Sequence, residues 1–457
     1  MSKIFLFFFP FIFIACGSGG TSSGDIADLT APYNYSTDYD TSKEATKQHR
    51  MLVIRLDYEN QHFVSSESIW AEKIFGAQTK QLNHYMNEVS AGQMLYSPVA
   101  EGSGADNGVI TVYFTSDHPD PDKSLNIDGA EYKSAVHSDF KTAVTAVSDY
   151  GFDFSLYDND YNGALTPDEL LIIFIMAGEE DAYSGGMYGN GIWAHTFCTD
   201  AQYTPHVNGV DVMGCSTGGK YSLLGERHFD SSTVSHDATI GIIAHELGHG
   251  ALDLPDLYDV SNRSAGIGYF GLMSSGTWGQ ASSREKAGQT PVPFSAWSKI
   301  HAGWYTPAEE TGTVTLNGTG YSDYNIVKVP ISDTEYFLLE NRTTTGYDRG
   351  LIYPLDGTYQ GGLAIWHIDE TVINNNYFAV NTNVSHKGVD LEEANNPVLD
   401  DTPYATGDAR NLYYSGNKTE FSPGTTPNSD SYYPSSTGII IDNISGVGSS
   451  MTVDITH

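Results

Sequence analysis

Apolar residues recur along the chain with two periods, and the change from one to the other divides the sequence into two parts. In the first part, aliphatic runs at 51–58, 94–100 and 108–114 predict β-strands. Residues 66–90 and 131–150 instead repeat their apolar positions at the helical period. Strands that alternate with helices in this way predict an α/β layered domain.

The most apolar segment of this part lies at 170–176 and predicts a buried strand. A further strand is predicted at 191–197. The segment 237–252 carries an apolar stripe at helical spacing, and Pro255 ends any continuation of that helix. An amphipathic segment at 293–304 is predicted to close the domain as a helix.

From about residue 311 the pattern changes to short alternating segments separated by Gly, Pro, Asn and Asp turns. Strands are predicted at 313–316, 325–329, 336–340, 363–368, 439–444 and 451–455. This pattern predicts an all-β, sandwich-like C-terminal domain. The length of 457 residues, of which 40% are hydrophobic, is sufficient for two or three domains.

The N-terminus has the features of an export signal. An apolar run at 4–15 follows a lysine and is too short to span a bilayer. The small residue before Cys16 resembles the lipobox of bacterial lipoproteins, which predicts a signal peptide at 1–16 and lipidation of Cys16. An ordinary cleaved secretory signal is the alternative. Either predicts export, to the cell surface or outer membrane as a lipoprotein or as a secreted protein, with 17–48 as a flexible tether.

The net charge of −35 arises from 22 Lys and Arg against 57 Asp and Glu. This charge argues against nucleic acid or an anionic membrane surface as a partner, so that the lipid anchor is the one membrane contact expected. It suits an exported protein that binds divalent cations. Cys198 and Cys215 remain as an even pair and could form one disulfide in an oxidising compartment. Two free buried thiols are the alternative, and the sequence does not indicate an oligomeric state.

The clearest chemistry lies in the helix predicted at 237–252. His245 and His249 are four residues apart, so both imidazoles lie on one helix face and can reach a single cation. Zinc accepts imidazole nitrogen and usually has three protein ligands and a water in a catalytic site. Glu246 can then accept a proton from that water. A helix that carries two histidines by chance is the alternative.

A second cation site is predicted in the loop at 158–169. This loop matches the calcium-binding template, with oxygen ligands at its first, third, fifth and twelfth positions and a glycine at the sixth. The predicted Ca²⁺ ligands are Asp158, Asp160, Asn162, the carbonyl of Ala164, and Glu169. Because a strand rather than a helix follows, we expect a calcium loop set into another fold, and a single site without the paired partner of sensors favours a structural role. An acidic turn without an ion is the alternative.

Two further groups of residues have chemistry that the sequence does not assign. His195, His228 and His236 precede the motif helix and are candidates for substrate or metal contacts, although histidines of this kind are more often structural. The acidic residues of the C-terminal part either bind more calcium or form a solvated surface. They are Asp369, Glu370, Asp390, Glu392 and Glu393.

Several segments together resemble the immune inhibitor A-like family of secreted bacterial metallopeptidases. They are MLVIRLDYENQHF, YDNDYNGALTPDEL, GIWAH, AHELGHGALDLPDLYD, GLMSSGTWG, SAWSKIHAGW, YFLLENR, GGLAIWHIDE and HKGVDLEEAN, and they cover most of the chain from about residue 50. The resemblance implies a metzincin-like catalytic domain at 49–308, with a twisted sheet and an active-site helix, and a β-rich domain at 309–457. It also implies a zinc endopeptidase in which His245 and His249 bind the metal and Glu246 is catalytic.

The third zinc ligand departs from the metzincin pattern. That pattern places a glycine, and then a His or Asp ligand, where this chain has Leu252 and Pro255. Asp256 comes one residue later within PDLYD, and it is the predicted third ligand if the turn is one residue longer. The other candidates are Asp253, Asp259 and Glu285.

The predicted function is that of an exported zinc-dependent endopeptidase acting on extracellular proteins and peptides. Met273, in a glycine-rich turn, is expected to lie beneath the metal as the methionine turn does in metzincins. Tyr258 or Tyr269 is a candidate hydrogen-bond donor to the oxyanion. A calcium-stabilised surface binding or adhesin module with an inactive peptidase-like fold is the alternative from another class. A zinc enzyme acting on a non-peptide bond, or on glycosylated protein only, is the third.

Overall fold

The computed structural model describes residues 47–102, 105–120 and 129–457. The predicted signal peptide with Cys16, and the tether up to residue 46, lie outside the described residues. Within the described ranges, no helix is both long enough and apolar enough to cross a membrane.

The described residues form helices and strands with the following bounds. The helices are α1 (Glu67–Phe75), α2 (Leu82–Val89), α3 (Ala130–Tyr132), α4 (Ser138–Asp149), α5 (Asp181–Ser184), α6 (Ile240–Leu252), α7 (Ala296–His301) and α8 (Glu370–Asn375). The strands of the first part are β1 (Lys47–Asp57), β2 (Met94–Pro98), β3 (Val109–Tyr113), β4 (Ala164–Leu165), β5 (Leu171–Glu180), β6 (Gly191–Ile192), β7 (His195–Phe197), β8 (His206–Val207), β9 (Val210–Val212), β10 (Tyr221–Ser231) and β11 (Val234–Asp237). Those of the second part are β12 (Ala308–Glu309), β13 (Gly312–Asn317), β14 (Val327–Pro330), β15 (Glu335–Arg342), β16 (Gly362–Asp369), β17 (Val389–Leu391), β18 (Ile440–Asp442) and β19 (Ser450–Thr456).

A mostly parallel sheet forms the centre of the first part. β5 lies between β1 and β10, and all three run in the same direction. On the side away from β5, β1 pairs with β2 along its first half and with β3 along its second half. β7 and β11 run antiparallel to β10 at its two ends. Since every residue of β5 is buried, the strand predicted at 170–176 is confirmed as a central strand covered on both faces.

Helices cover both faces of this sheet. Phe174 of β5 stacks on Phe140 of α4, with ring centroids 4.1 Å apart, on one face. Ile173 and Ile175 point to the opposite face, where their core includes residues of α1, α2 and α6. This alternation follows from the period of two in a strand. The predicted α/β layered architecture of the first part is therefore confirmed.

Two predicted helix starts are wrong for local reasons. The motif helix begins at Ile240 rather than near 237, because residues 234–237 pair with β10 as strand β11. The helix predicted from 293 begins at Ala296. There the Ser295 side chain accepts a hydrogen bond from the Ser298 backbone amide at 3.2 Å and caps the first turn.

The second part contains two sheets that face each other. The five-stranded sheet has the order β12-β14-β15-β16-β17, and the three-stranded sheet has the order β13-β19-β18. Their facing side chains form one apolar core, which includes Val314, Phe337, Ile365 and Met451. The other face of the five-stranded sheet contributes Leu338 and Trp366 to the same core as α6. A separate all-β C-terminal domain is thus not confirmed, because the two parts share a core and α8 follows β16.

Buried ion pairs also join the two parts. Lys299 of α7 contacts Glu340 of β15, with Nζ and Oε1 2.6 Å apart. Arg342 of β15 pairs with Asp348 and donates a hydrogen bond of 2.8 Å to the carbonyl oxygen of Phe270. All four side chains of these pairs are almost fully buried, and each charge has an opposite charge beside it. Because Arg342 also lies 3.7 Å from Glu340, the four charges form one buried network, and removing one member would leave an unbalanced charge in a low-dielectric interior, which is strongly destabilising.

Candidate metal centre and active site

The helix α6, which carries the HExxH motif, lies unusually close to the turn at 268–278. A Cβ atom at Gly241 would lie 1.9 Å from the carbonyl oxygen of Thr277. One at Gly248 would lie 2.4 Å from Sδ of Met273. The absence of side chains at these two positions therefore lets the helix sit against this turn. Met273 is fully buried, and its sulfur packs against α6 at Gly248, between the two histidines of the motif.

Three side chains converge at the C-terminal half of α6. Nε2 of His245 lies 3.2 Å from Oδ1 of Asp256, and Nε2 of His249 lies 3.3 Å from the same oxygen. One ligand atom from each of the three residues lies within 4.8 Å of the others. The helix supplies the two imidazoles, and the turn that follows it supplies the carboxylate.

Backbone carbonyls fix the orientation of both imidazole rings. Nδ1 of His245 lies 3.0 Å from the carbonyl oxygen of Leu272, and Nδ1 of His249 lies 2.6 Å from that of Leu254. A carbonyl oxygen can only accept, so Nδ1 carries the proton in each ring. The lone pair of the neutral imidazole is then on Nε2, which faces Asp256. This second contact is the usual arrangement of a metal-binding histidine.

The arrangement of these three ligand atoms fits a tetrahedral cation. Atoms bound to one zinc at about 2.0–2.1 Å lie roughly 3.3–3.4 Å apart, which is close to the separations from Asp256. Oδ1 of Asp256 is inaccessible to solvent, and no group in the described residues forms a hydrogen bond of good geometry with it. A buried carboxylate oxygen needs a partner. A cation between the three atoms would supply it.

The charges at this site depend on one another. Although burial alone would lower the pKa of His249, the charge of Asp256 raises it to about 9. Burial alone would raise the pKa of Asp256, but the nearby His249 and His245 hold it well below its usual range. Without a cation, a proton on the imidazole side of the site, favoured at His249, has to balance the negative charge of the Asp256 carboxylate. A divalent ion can take the place of that proton, since metal binding releases protons from its ligands.

Glu246 lies on the same helix and is almost fully buried. Burial raises the pKa of its carboxyl group, against the opposing effect of His245 and His249. Oγ1 of Thr196 in β7 lies 3.1 Å from Oε2 of Glu246 and 2.8 Å from its carbonyl oxygen. The edge of the sheet therefore contacts the carboxylate that the sequence assigned as the general base.

The three other candidate third ligands have different partners. Asp253 caps α6 in the left-handed region, with φ 52°, and its carboxylate accepts a hydrogen bond of 2.7 Å from Lys220. Asp259 is buried and accepts hydrogen bonds from backbone amides of its own turn, including that of Ser261 at 2.8 Å. Glu285 pairs with Lys80, with Oε1 and Nζ 3.0 Å apart. Of the four carboxylates, the structure brings Asp256 to the histidines.

The sequence profile of the immune inhibitor A peptidase M6 catalytic domain matches residues 26–305, which is more than half of the chain. The chain belongs to this family. It is accordingly a metallopeptidase, and its HExxH motif and Asp256 lie inside the matched region. No curated protein matches the sequence significantly.

Among solved structures, this M6 peptidase is similar to OgpA from Akkermansia muciniphila at 12% identity, over 67% of this chain and 75% of that one. The wild-type protein, in two crystal forms, gives TM-scores of 0.28 and 0.27. A catalytically inactive form in complex with an O-glycopeptide (glycodrosocin) substrate gives 0.26, with the same identity and coverage. TM-scores of this size do not establish a common fold.

Two tyrosines near the M6 catalytic motif differ in their surroundings. Burial, followed by the charge of Asp256, raises the pKa of Tyr258 well above its usual value of 10. Its hydroxyl therefore stays protonated and can donate a hydrogen bond. Tyr269 lies on a groove of about 520 Å³ whose other wall includes Tyr353 and Asp356 of the second part. Since burial also raises the pKa of Tyr269 to about 12, both hydroxyls stay protonated, and it is the contact of Tyr258 with Asp256 that makes it the better candidate for a donor to the oxyanion.

The upstream histidines of this M6 peptidase have structural surroundings. Nε2 of His195 lies 2.8 Å from the hydroxyl oxygen of Tyr132, and burial lowers its pKa to about 4. His228 is fully buried and stacks on Tyr183, with ring centroids 4.1 Å apart. His236 also packs against Tyr183. In the described residues, none of the three belongs to a group of converging metal ligands.

The predicted calcium loop folds around its carboxylates. Ligand atoms of Asp158, Asp160 and Glu169 lie within 4.8 Å of one another. Asp158 accepts hydrogen bonds of 3.0 Å from the backbone amides of Asn162 and Gly163, and the latter has a φ of 81°. Glycine adopts this left-handed conformation without strain. The loop is thus turned so that its acidic side chains face a common point.

The remaining candidate residues have partners within the protein. Cys198 and Cys215 are joined in a disulfide bond. Lys387 is fully buried and lies between the carboxylates of Asp390 and Asp400, so a lysine occupies the position of a cation in this acidic cluster.

His367 occupies a comparable position beside two other carboxylates of the second part. Its Nε2 lies 2.9 Å from Glu335, and its Nδ1 lies 3.0 Å from Glu392. Although burial alone lowers the pKa of His367, hydrogen bonds to these two glutamates raise it to about 9. The imidazolium therefore lies between two acidic side chains and compensates one of their two negative charges.

Several residues at the site could not be found from the motif. Thr196 lies 50 residues before Glu246, and its part in the site depends on the pairing of β7 with β10. The carbonyl groups of Leu254 and Leu272 have no sequence signal, because any residue has one. These contacts become visible only when the turn after α6 and the methionine turn are placed in three dimensions.

Proposed function

We propose that the protein is an exported zinc-dependent endopeptidase that hydrolyses peptide bonds in extracellular proteins. The observation that carries this proposal is the convergence of His245, His249 and Asp256 beside the buried Glu246. A carboxylate one residue after a metal-binding histidine is the arrangement that metalloproteases use to deprotonate water.

The metal would be held by Nε2 of His245, Nε2 of His249 and the carboxylate of Asp256. When bound, zinc lowers the pKa of a water toward 7 and polarises the carbonyl of the scissile bond. Three protein ligands are the number found in catalytic zinc sites, since the fourth position is needed for water or substrate.

The protein side chains move the proton. Glu246 accepts it from the attacking water and delivers it to the departing amine nitrogen. Burial raises the pKa of this carboxyl group, which makes it a better proton acceptor than an exposed glutamate. Thr196 contacts Oε2 of Glu246 and limits its rotation. The protonated hydroxyl of Tyr258 can donate a hydrogen bond to the developing oxyanion.

The loop at 158–169 is proposed to bind Ca²⁺ in a structural role. Its ligands would be Asp158, Asp160, Asn162, the carbonyl of Ala164, and Glu169. The converging carboxylates and the following strand support a fixed site rather than a sensor.

Export is supported by the signal pattern at 1–16, and the disulfide between Cys198 and Cys215 fits an oxidising compartment. The lipobox-like Cys16 is the proposed site of lipidation. The alternative of an inactive surface adhesin is not favoured, because Glu246, the proposed general base, and Asp256, the proposed third ligand, both lie beside the two histidines.

The proposal is tested by digestion of casein with the full-length protein, before and after chelation and on addition of zinc. We expect chelation to abolish cleavage and zinc to restore it. Glu246→Gln should keep one zinc per chain and lose about 10²- to 10⁴-fold in kcat/KM, which is the usual contribution of a general base. The control is Glu131→Gln, which changes an exposed glutamate in the same way. Normal turnover by Glu246→Gln would refute its role as the base.

A further inference from the structure

Asp256 differs from the two histidines in how it is held. His245 and His249 are on a helix, and backbone carbonyls fix both rings. Asp256 is on the segment 253–269, which has no regular secondary structure before its short 3-10 turn at Gly268–Phe270. The position of the third ligand therefore depends on what holds this segment, which we call the ligand turn.

Much of the ligand turn is held by residues that follow 305. Along its length, six hydrogen bonds cross to residues 377–406. Their donor and acceptor pairs are Tyr377 to the Asp253 carbonyl, Asn381 to the Leu257 carbonyl, Arg263 to the Thr382 carbonyl, Lys387 to the Gly266 carbonyl, Ala265 to the Leu399 carbonyl and Tyr269 to the Thr406 carbonyl. The contacts occur on both sides of Asp256.

Asn381 makes the contact closest in sequence to the ligand. It is fully buried, and its Nδ2 donates hydrogen bonds of 2.8 Å to the carbonyl oxygens of Leu257 and Val389. Its Oδ1 accepts a hydrogen bond of 3.1 Å from the Val389 amide. Leu257 follows Asp256 directly, so the side-chain amide of Asn381 ties the residue after the proposed ligand to strand β17.

The other side of Leu257 is tied to the methionine turn. Its amide donates a hydrogen bond of 2.7 Å to the carbonyl oxygen of Met273. The Leu257 carbonyl oxygen also accepts a hydrogen bond of 3.2 Å from the Ile267 amide, within the ligand turn. The backbone of Leu257 is thus held by the methionine turn, by the ligand turn itself and by Asn381, and Asp256 directly before it lies 3.2–3.3 Å from the two imidazoles.

We infer that Asn381 is a positioning residue for the third metal ligand, and that the region after 305 completes the metal centre. This inference rests on the proposed zinc site. It goes beyond the family match, because residues 377–406 lie outside the matched catalytic domain at 26–305. The second part is then required to build the site rather than appended to a self-sufficient peptidase.

The test is the zinc affinity of full-length Asn381→Ala, measured by competition with a chromophoric chelator below the unfolding temperature. Asn83→Ala is the matched control. Asn83 is also buried and also bonds two carbonyls and one amide, but its partners lie outside both the ligand turn and residues 377–406. They are the carbonyl of Phe75 and the carbonyl and amide of Tyr96.

Both variants should unfold at lower temperature, because each leaves buried polar groups without partners. We expect Asn381→Ala alone to bind zinc about 10- to 100-fold more weakly, as is usual when support for a metal ligand is removed. Its cobalt-substituted form should also show an altered visible absorption spectrum. Wild-type affinity in folded Asn381→Ala, or equal loss in Asn83→Ala, would overturn the inference.

Asp256→Ala separates this inference from the proposed function. If Asp256→Ala weakens zinc binding but Asn381→Ala does not, the metal site stands and the positioning role fails. If Asp256→Ala binds zinc as tightly as the wild type, the assignment of the third ligand fails.

A milder variant keeps the test decisive if Asn381→Ala does not fold. Tyr377→Phe removes one hydroxyl that donates to the carbonyl oxygen of Asp253, at the start of the ligand turn. Tyr433→Phe is its control, because that hydroxyl donates to Asp369 at 3.0 Å, away from the turn. We expect zinc affinity to fall a fewfold in Tyr377→Phe and to stay unchanged in Tyr433→Phe. Equal affinities in both would count against the inference.

Discussion

Three glycines of α6 can be used to test whether this helix needs positions without side chains to pack against its neighbours. Each is replaced by alanine, so the chemical change and the helix are the same in all three variants. The nearest atom to the added Cβ is the Thr277 carbonyl oxygen at 1.9 Å for Gly241, and Sδ of Met273 at 2.4 Å for Gly248. For Gly250 it is a serine hydroxyl at 3.0 Å.

The expected effects follow from two opposing contributions. Alanine in a helix interior is more stable than glycine by roughly 0.5–1 kcal/mol. Overpacking a dense core costs about 1–3 kcal/mol, and occasionally more. We expect Gly241→Ala to destabilise by about 3 kcal/mol, because a backbone carbonyl cannot rotate away. Gly248→Ala should cost about 1–2 kcal/mol, since a methionine side chain can shift. Gly250→Ala should lie within about 0.5 kcal/mol of the wild type.

The assay is chemical unfolding of the three full-length variants, with the free energies compared at one zinc concentration. A further pair of variants compares Met273→Ala with Met273→Ala plus Gly248→Ala. Since the shorter side chain leaves room for the added methyl group, Gly248→Ala should destabilise the protein less in the Met273→Ala background than in the wild type. If Gly241→Ala and Gly248→Ala are as stable as Gly250→Ala, the close approach of α6 to the turn does not depend on these glycines. If the effect of Gly248→Ala is the same with and without Met273, the contact between Gly248 and the methionine sulfur is not the cause.

Three further outcomes can be measured. Thr196→Val removes the hydroxyl beside Glu246 and should lower kcat/KM about tenfold, or about 1.4 kcal/mol, whereas Thr196→Ser keeps the rate. Calcium at 100 times its dissociation constant should stabilise the wild type by about 2.7 kcal/mol, and Glu169→Gln should largely remove this effect in thermal unfolding. Because the pKa of His367 is raised from 6.5 to about 9, its stabilising effect is complete below pH 6.5 and lost as the pH rises through 9. In urea unfolding, His367→Gln should therefore lose roughly 3 kcal/mol relative to the wild type at pH 6 and much less at pH 10.

The part of the site that could be predicted is the part that local geometry determines. His245 and His249 share a helix face wherever their segment is helical, so their spacing alone predicts the pair. Asp256 required a turn one residue longer than that of the metzincin pattern, which places a ligand where this chain has Pro255. The residues that hold the ligands lie far away in sequence, as Asn381 does, and single-sequence patterns do not encode such contacts.

The fold was likewise predictable where local sequence determines an element and not where distant contacts do. The strand β5 was predictable because its residues are uniformly apolar. The adjacent strand β10 was not predicted, since it includes the charged Glu226 and Arg227. Glu226 is buried there because its carboxylate accepts hydrogen bonds of 2.8 Å from the amides of Val64 and Ser65. A buried polar residue whose hydrogen-bond partners come from another segment interrupts the apolar pattern from which a buried strand is predicted.

Anomalous diffraction at the zinc edge from crystals of the zinc-loaded, full-length Glu246→Gln variant would test the metal centre most directly. We predict one zinc bound by Nε2 of His245, Nε2 of His249 and the carboxylate of Asp256. A zinc bound by Glu285 or another side chain in place of Asp256, or imidazoles that bind no metal at saturating zinc, would contradict the proposed centre.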